Sequence, residues 1–217
     1  PYQRPPLSKA FLKHGDTARL DLRPSKFFDD NTISLMPQTR VTGIDPDGKH
    51  ITTGDGKTIG YDHLVLATGS RNARPPIANL DQKNVLSLRN LADASELRTR
   101  LSAARHVLVV GGGFIGMEFA AVAPGLGVNA TVIEGAERLM SRAVSDTMSA
   151  HFLMSHQGWG TNVRLGKFVS ELLDDGAGNV AGARLADGTD IAGDIVLVAA
   201  GVVPNSELAT EAGLAVS

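Results

Sequence analysis

The sequence contains no cysteine, so disulfides, thiolate metal ligands and a thiol redox centre are excluded within its 217 residues. Its six histidines are scattered, and His151 and His156 are five positions apart, off a shared helical face. We therefore expect no metal centre. The lack of cysteine also favours a cytoplasmic location.

The sequence also lacks long hydrophobic runs and a strong charge of one sign. No apolar run approaches the roughly 20 residues that span a bilayer, so we expect no membrane association. The 21 basic and 23 acidic side chains give a net charge of −2, and no basic field is present to hold nucleic acid. The 42% of apolar residues can form the core of one large or two small domains that bind a small ligand or a protein.

Two stretches of the sequence resemble each other. They are GDGKTIGYDHLVLATG (54–69) and ADGTDIAGDIVLVAAG (186–201), each with an Asp-Gly turn, a short strand and a buried β-run that closes on glycine. The buried runs are Leu64–Ala67 and Ile195–Ala199. Gly and Asp punctuate further short strands upstream of each. We therefore predict two β-meanders, each leading into a parallel core strand.

A βαβ unit with a glycine-rich turn lies between these stretches. Its parts are a strand over 106–110, a helix from Gly113 and a strand over 128–133. Pro124 should stop the helix near Ala123. If the chain is an internal duplication, a similar turn should precede the first stretch, before Pro1. We therefore expect the sequence to be a fragment.

Two more helices are expected beside this unit. Asp93 and Glu96 have capping-box spacing and open a short helix, with Leu97 and Leu101 facing inward. The second helix starts after Ser145, and its expected apolar stripe is formed by Met148, Phe152 and Leu153.

The glycines of the turn have the G-x-G-x-x-G spacing of a dinucleotide-binding motif. Gly111 permits the tight turn, Gly113 lets a pyrophosphate approach the backbone, and Gly116 lets the helix pack closely on the strand. The first amides of the helix and its dipole then favour the phosphates. Methyltransferases and simple tight turns give similar strings, so the glycines alone leave other functions open.

Glu134 supports dinucleotide binding. It stands 18 residues after Gly116, where a carboxylate can accept hydrogen bonds from both hydroxyls of the adenosine ribose. Its charge would repel a 2′-phosphate, so NADH is favoured over NADPH. Arg138 and Arg142 follow and can moderate this preference by approaching a phosphate. Solvated surface side chains are the alternative for all three residues.

Glu118 is a carboxylate within an otherwise apolar helix. It lies about 7 Å along the axis from the helix start. It shares a face with Phe114 and Ile115, whose turn borders the dinucleotide. A buried, unpaired carboxylate costs several kcal/mol, so Glu118 is either paired with a cation or exposed at the surface.

Several separated motifs carry a family resemblance. PYQRPPLSKAFL, LATGSRNARPP, GGGFIGMEFA and GVVPNSELATEAGL follow in this order over essentially the whole chain. They resemble the two-dinucleotide-binding flavoprotein reductases, and among these the NADH-dependent ferredoxin reductases that supply oxygenases and cytochromes P450. The resemblance implies an α/β fold with two Rossmann-like nucleotide-binding modules and β-meander insertions. It implies FAD and NADH as cofactors, and a ferredoxin-type iron–sulfur protein as the electron acceptor.

The resemblance also implies a domain order. Residues 1–93 would be part of an FAD-binding domain, 94–206 an NAD-binding domain, and 207–217 the start of the return to the FAD-binding domain. The family's first glycine turn is expected about 20 to 50 residues before Pro1, and its Gly-Asp segment after Ser217.

Matching motif positions implies a set of site residues. Lys9 and Glu118 are implied near the reactive edge of the flavin as a catalytic pair that orients nicotinamide rather than abstracting a proton. The candidate FAD contacts are Arg4, Lys9, Val41, Ala67, Thr68, Gly69 and Arg71. The candidate NAD contacts are Gly111, Gly113, Phe114, Ile115, Gly116, Glu118, Glu134, Arg142 and Gly201.

Other functions stay open at this point. The chain can belong to a reductase of monodehydroascorbate or another small acceptor, or to a thiol-based reductase whose cysteine lies before Pro1. It can also belong to an interaction protein like apoptosis-inducing factor, although the near-neutral charge argues against nucleic acid. A bare NAD-binding module without flavin is the last alternative. Nothing in the sequence indicates an oligomeric state.

Overall fold

The computed structural model describes residues 1–216. Its helices are α1 (Ala10–His14), α2 (Ser25–Asp30), α3 (Leu91–Leu101), α4 (Phe114–Val122), α5 (Asp146–Gly158) and α6 (Glu207–Glu211). Its strands are β1 (Val41–Asp45), β2 (His50–Thr53), β3 (Thr58–Gly60), β4 (Ser70–Asn72), β5 (Val85–Leu86), β6 (His106–Val110), β7 (Asn129–Ile133), β8 (Asn162–Arg164), β9 (Val169–Asp174), β10 (Val180–Leu185), β11 (Asp190–Ala192), β12 (Ile195–Val198) and β13 (Val202–Pro204). Pro5–Ser8 and Ala123–Leu126 are 3-10 turns.

The chain divides into two compact units. Unit 1 comprises Pro1–Leu22 and Asn72–Gly201, and unit 2 comprises Arg23–Arg71 and the residues from Val202 onward. The predicted domain boundaries at 93 and 206 stay a prediction.

Unit 1 is built on a five-stranded parallel sheet in the order β5-β12-β6-β7-β8. Its central strands read HVLVV and NATVI and are buried on both faces, as the strands of a covered parallel sheet require. Val107 and Val109 face a core cluster that includes side chains of α3 and α4. Leu108 and Val110 point to the opposite face and pack on the antiparallel sheet β11-β10-β9.

The predicted βαβ unit is confirmed. β6 leads through the glycine turn into α4, and β7 pairs with β6 in parallel. Helix α4 ends at Val122, and Pro124 occupies the start of the following 3-10 turn, where its missing N–H costs nothing. Helix α5 begins after Ser145, whose hydroxyl accepts a hydrogen bond from the Met148 amide at 3.4 Å.

The predicted cap of α3 is wrong by three residues. Asn90 Oδ1 accepts the Asp93 amide at 3.0 Å, and the Asp93 carboxylate accepts the Asn90 amide at 3.3 Å. The box therefore consists of Asn90 and Asp93 rather than Asp93 and Glu96, because the preceding NLAD also fits the motif. Leu97 and Leu101 are buried, as predicted.

The predicted apolar stripe of α5 is wrong at Met148, which is 44% exposed. Ser149 is buried instead, and its hydroxyl donates to the Leu139 carbonyl at 2.8 Å. This contact turns Ser149 inward, and Met148 lies about 100° away around the helix. Phe152 and Leu153 pack against the core.

Unit 2 contains the first β-meander, an antiparallel sheet in the order β1-β2-β3, which confirms both predicted meanders. Helix α6 packs against β1. The predicted core strand Leu64–Ala67 is wrong, because these residues are irregular and Val65 is 85% exposed. A strand needs neighbours to pair with, and within residues 1–216 none pairs here, whereas β12 has β5 and β6 on its two sides.

Candidate functional site

The glycine turn after β6 is held by its own backbone. Gly111 has φ +112, and a Cβ there would lie 2.5 Å from the Ala199 carbonyl oxygen. A Cβ on Gly116 would collide with the Gly111 carbonyl oxygen and lie 3.0 Å from Val109 Cγ1. Both glycines are therefore required by the packing of the turn itself.

Gly113 differs from these two glycines. It has extended backbone angles, and a Cβ there would meet no atom within 4 Å. Protein packing therefore does not explain the glycine, whereas a ligand approaching the backbone does. Phe114 and Ile115 form the next turn and are 54% and 39% exposed. Gly113 is the N-cap of α4 and provides no side-chain cap of its own.

Glu134 at the end of β7 is tied to the glycine turn. Its Oε2 accepts the Gly112 amide at 2.5 Å, and its Oε1 accepts the Ala136 amide at 2.8 Å. A carboxylate offers about four lone-pair sites, so acceptor capacity remains for ribose hydroxyls. Gly112 was absent from the predicted set, and its carbonyl accepts the Met140 amide at 3.0 Å. The carboxylate therefore fixes the turn at the residue that precedes Gly113.

Glu118 on α4 forms the predicted ion pair with Lys9. Lys9 Nζ lies 2.7 Å from Glu118 Oε1, and the two side chains are 49% and 27% exposed. Ser8, which is buried, donates its hydroxyl to Glu118 Oε2. Lys9 Nζ also donates to the Pro5 carbonyl at 3.3 Å. Since an ammonium has three N–H donors, one remains for a ligand.

In unit 2 the predicted residues Thr68, Gly69 and Arg71 lie against one loop. Thr68 Oγ1 donates to the Asn205 carbonyl at 2.6 Å, and Asn205 Nδ2 donates back to the Thr68 carbonyl at 2.9 Å. The Asn205 amide donates to the Gly69 carbonyl at 2.9 Å. Arg71 Nη1 lies 2.7 Å from Glu207 Oε1 and 3.0 Å from Asn205 Oδ1. These bonds fix residues 68–71 while leaving Thr68 and Gly69 exposed.

The Glu207 carboxylate is shifted toward its ionised form. A hydrogen bond from its own backbone amide lowers its pKa most, and the guanidinium of Arg71 lowers it further. The pair is exposed, so its contribution to stability is small.

The sequence and its fold were compared with known proteins. A family model described as pyridine nucleotide-disulphide oxidoreductase matches residues 1–217. The chain belongs to this family.

Relatives and solved structures agree with the family. The chain is 42% identical to rhodocoxin reductase of Rhodococcus erythropolis, over 100% of this chain and 51% of that protein. It is 36% identical to putidaredoxin reductase of Pseudomonas putida, over 100% of this chain and 52% of that protein. The ferredoxin reductase for the CYP199A2 system from Rhodopseudomonas palustris superposes with a TM-score of 0.95 at 43% identity, over 100% of this chain and 54% of that chain. The chain therefore spans about half the length of these relatives.

These comparisons bear out the predicted α/β fold of the flavoprotein reductases. The two candidate arginines after Glu134 differ in their contacts. Arg138 donates to the carbonyls of Ser141 at 2.7 Å and Val144 at 2.9 Å, so it fixes its own loop. Arg142 is exposed, and in residues 1–216 it forms no ion pair. Of the two, Arg142 alone is free to approach a phosphate.

For the remaining candidate residues, the roles as cofactor contacts stay predictions. Arg4 is exposed before the Pro5–Ser8 turn, Val41 opens β1 half-buried, and Ala67 is exposed. Gly201 has φ +101, a conformation that favours glycine. Within residues 1–216 no cluster of His, Cys, Asp or Glu can hold a metal ion, and no helix is long and apolar enough to cross a membrane.

Three residues that contribute to the candidate site were not predicted from the sequence. Ser8 and Asn205 stand in the quoted motifs PYQRPPLSKAFL and GVVPNSELATEAGL, but their partners are 110 and 137 positions away. Gly112 is the middle glycine of GGG and falls on a variable position of the motif. The motifs themselves are the signal that marks all three residues.

Proposed function

We propose that this chain carries the NADH-binding site and part of the FAD-binding site of a reductase that passes electrons to a ferredoxin-type iron–sulfur protein. The observation that carries the proposal is the glycine turn, where Gly113 alone of the three motif glycines has no protein atom in the space of a side chain, and Glu134 accepts the amide of the neighbouring Gly112. The names of the relatives support the acceptor class, since they include rhodocoxin, putidaredoxin and rubredoxin reductases. Nicotinamide and flavin supply the hydride and single-electron chemistry when bound.

For NADH, different residues around the turn would bind different parts of the molecule. The backbone at Gly113 and the first amides of α4 would receive the pyrophosphate, where the positive end of the helix dipole favours anions. Glu134 would accept the ribose hydroxyls with its remaining lone pairs and repel a 2′-phosphate. Gly111, Gly116 and Gly201 shape the backbone around this space.

For FAD, the exposed Ala67–Gly69 backbone provides an open surface that Asn205 fixes. Arg71 would remain positioned by Glu207 while presenting its other guanidinium N–H groups. Arg4 and Val41 complete the proposed contacts from their motif positions. The division into residues 1–93, 94–206 and 207–217 and the cytoplasmic location stay predictions.

Lys9 and Glu118 would act as an orienting pair. Glu118 is held by Lys9 and by Ser8, so its carboxylate is fixed in position rather than mobile. Hydride transfer removes no proton from carbon, and a fixed carboxylate beside Phe114 and Ile115 serves alignment. The free N–H of Lys9 would stabilise negative charge on a neighbouring ring.

The test is anaerobic stopped-flow kinetics on the full-length gene product. NADH should reduce a bound flavin, and the reduced protein should then reduce a ferredoxin faster than it reduces monodehydroascorbate. A protein that purifies without flavin would contradict the proposal and favour a bare NAD-binding module. Faster reduction of monodehydroascorbate would favour a reductase of small acceptors. Tight DNA binding at low salt would favour an interaction protein.

A further inference from the structure

Phe168 is an exposed aromatic side chain beside the candidate dinucleotide site. It follows β8 in the chain and is 64% exposed. Its ring lies against Gly135, because a Cβ on Gly135 would be 2.8 Å from Phe168 Cζ and 2.9 Å from Cδ1. Gly135 does not have a positive φ, so its backbone does not require glycine. A side chain at position 135 would instead have to displace the Phe168 ring from its present place.

The loop that carries Phe168 is fixed to the segment after β7. The Lys167 amide donates to the Glu134 carbonyl at 3.0 Å, and the Gly166 amide donates to the Ala136 carbonyl at 3.0 Å. These two bonds bracket Gly135 on both sides. The backbone of this loop is therefore fixed before any ligand binds, so little backbone conformational entropy is lost when a ligand covers the ring.

Phe168 has no role in the buried core. It belongs to neither of the two buried hydrophobic clusters of unit 1. An exposed phenyl ring on a fixed loop leaves apolar area in water that a planar ligand can cover. The Phe168 ring is therefore available to a ligand.

We propose that Phe168 is the stacking platform for the adenine of the bound dinucleotide, an inference that rests on the proposed NADH site. In adenosine the base is bonded to C1′, and the adjacent C2′ carries a hydroxyl expected at Glu134. The base must therefore lie close to the Glu134 carboxylate. Phe168 packs against Gly135, the residue that follows Glu134. Stacking on an aromatic ring requires only the flat face of the base.

Adenine-containing and adenine-free ligands test this proposal on the full chain. Phe168→Ala should weaken binding of NADH and of ADP-ribose about tenfold. Reduced nicotinamide mononucleotide, which lacks the adenosine half, should bind both proteins equally. Phe168→Tyr should restore the affinity for NADH, because it keeps the aromatic face.

Gly135→Ala supplies an independent variant that leaves Phe168 present. The added methyl group must displace the ring, so NADH affinity should fall, but it should fall no further when combined with Phe168→Ala. The matched control is Trp159→Ala, an exposed aromatic residue that precedes β8 and so lies at the opposite edge of the parallel sheet from Glu134. This control should leave NADH affinity unchanged.

The outcomes separate this proposal from the one it rests on. If the native chain binds NADH and ADP-ribose but Phe168→Ala binds them equally well, the platform is wrong and the NADH site stands. Equal weakening of the mononucleotide would also overturn the platform, since it would show a general effect on the site. Absence of NADH and ADP-ribose binding in the native chain would overturn both.

Discussion

Lys9 Nζ and Glu118 Oε1 lie 2.7 Å apart although about half of the chain separates them in sequence. Lys9 directly follows the Pro5–Ser8 turn, and Glu118 lies on α4, so the pair joins these two elements. Both side chains reach solvent, so the pair is expected to stabilise the fold by no more than about 1 kcal/mol. Stability therefore gives only a small reason for the pair, and its role in orienting nicotinamide stays a prediction.

Glu118→Gln should slow flavin reduction by NADH at least about tenfold in the full-length protein, because a neutral side chain no longer holds Lys9. Electron transfer out of prereduced flavin should stay near normal. Stopped-flow absorbance measures both steps separately. Glu96→Gln, which removes a comparable surface pair with Arg100, is the matched control. Unchanged reduction by the Glu118 variant would leave Glu118 as a surface glutamate without a catalytic role.

Two of the motif glycines, Gly116 and Gly113, should separate into a folding residue and a binding residue. Gly116→Ala should destabilise the chain by about 1–3 kcal/mol, since its Cβ collides with the Gly111 carbonyl oxygen. Gly113→Ala should change stability by less than about 1 kcal/mol, because its Cβ meets no protein atom. It should nevertheless weaken NADH binding at least about tenfold by filling the space for the pyrophosphate.

Urea unfolding and fluorescence titration of the same two variants give the measurements. If Gly113→Ala binds NADH as tightly as the native chain, the open space at Gly113 is not where the pyrophosphate lies.

Asn205→Ala should loosen residues 68–71. It removes the amide that donates to Thr68 and the oxygen that accepts from Arg71. Amide hydrogen exchange in this segment should therefore accelerate several-fold. Asn179→Ala, which breaks a comparable local contact with Asp175, should not alter exchange there. Equal exchange in the Asn205 variant would show that the loop is held by its backbone bonds alone.

The stability of the chain should fall at mildly acidic pH because of His156. Burial lowers the pKa of this imidazole below its usual 6.5, and its Nδ1 has no hydrogen-bond partner within residues 1–216. The unfolded chain therefore binds the proton more strongly, so this stabilisation is present above about pH 6.5 and is lost as the pH falls through the lower folded pKa.

Urea midpoints at pH 7.5 and 5.5 measure the effect. His156→Gln should have a smaller difference between the two midpoints than the native chain. His151→Gln, on the same helix but exposed, should match the native chain. A native-sized difference in His156→Gln would assign the pH dependence to other groups.

Local patterns predicted much of this molecule because the physics behind them is local. The run of apolar residues in 107–110, the glycine spacing and the cap at Ser145 each depend on neighbours within a few positions. Leu64–Ala67 is as apolar as β12, but burial of a strand depends on the strands beside it, which the local sequence does not contain.

The candidate site was predictable only in part for a related reason. The glycine turn and Glu134 follow a fixed spacing within one βαβ unit, which the sequence displays directly. The contacts of Ser8 with Glu118 and of Asn205 with Thr68 join segments that are far apart in the chain. Such contacts are set by packing. The motifs contain Ser8 and Asn205 but do not indicate which residues they contact.

The most direct test of the account is calorimetric titration of the full chain with NADH and with NADPH. Glu134 is bonded to Gly112, which precedes Gly113 in the glycine turn, and would repel a 2′-phosphate. NADH should therefore bind with a Kd at least about tenfold lower than that of NADPH. Absence of NADH binding, or equal affinity for both nucleotides, would contradict the assignment of this turn as the NADH site.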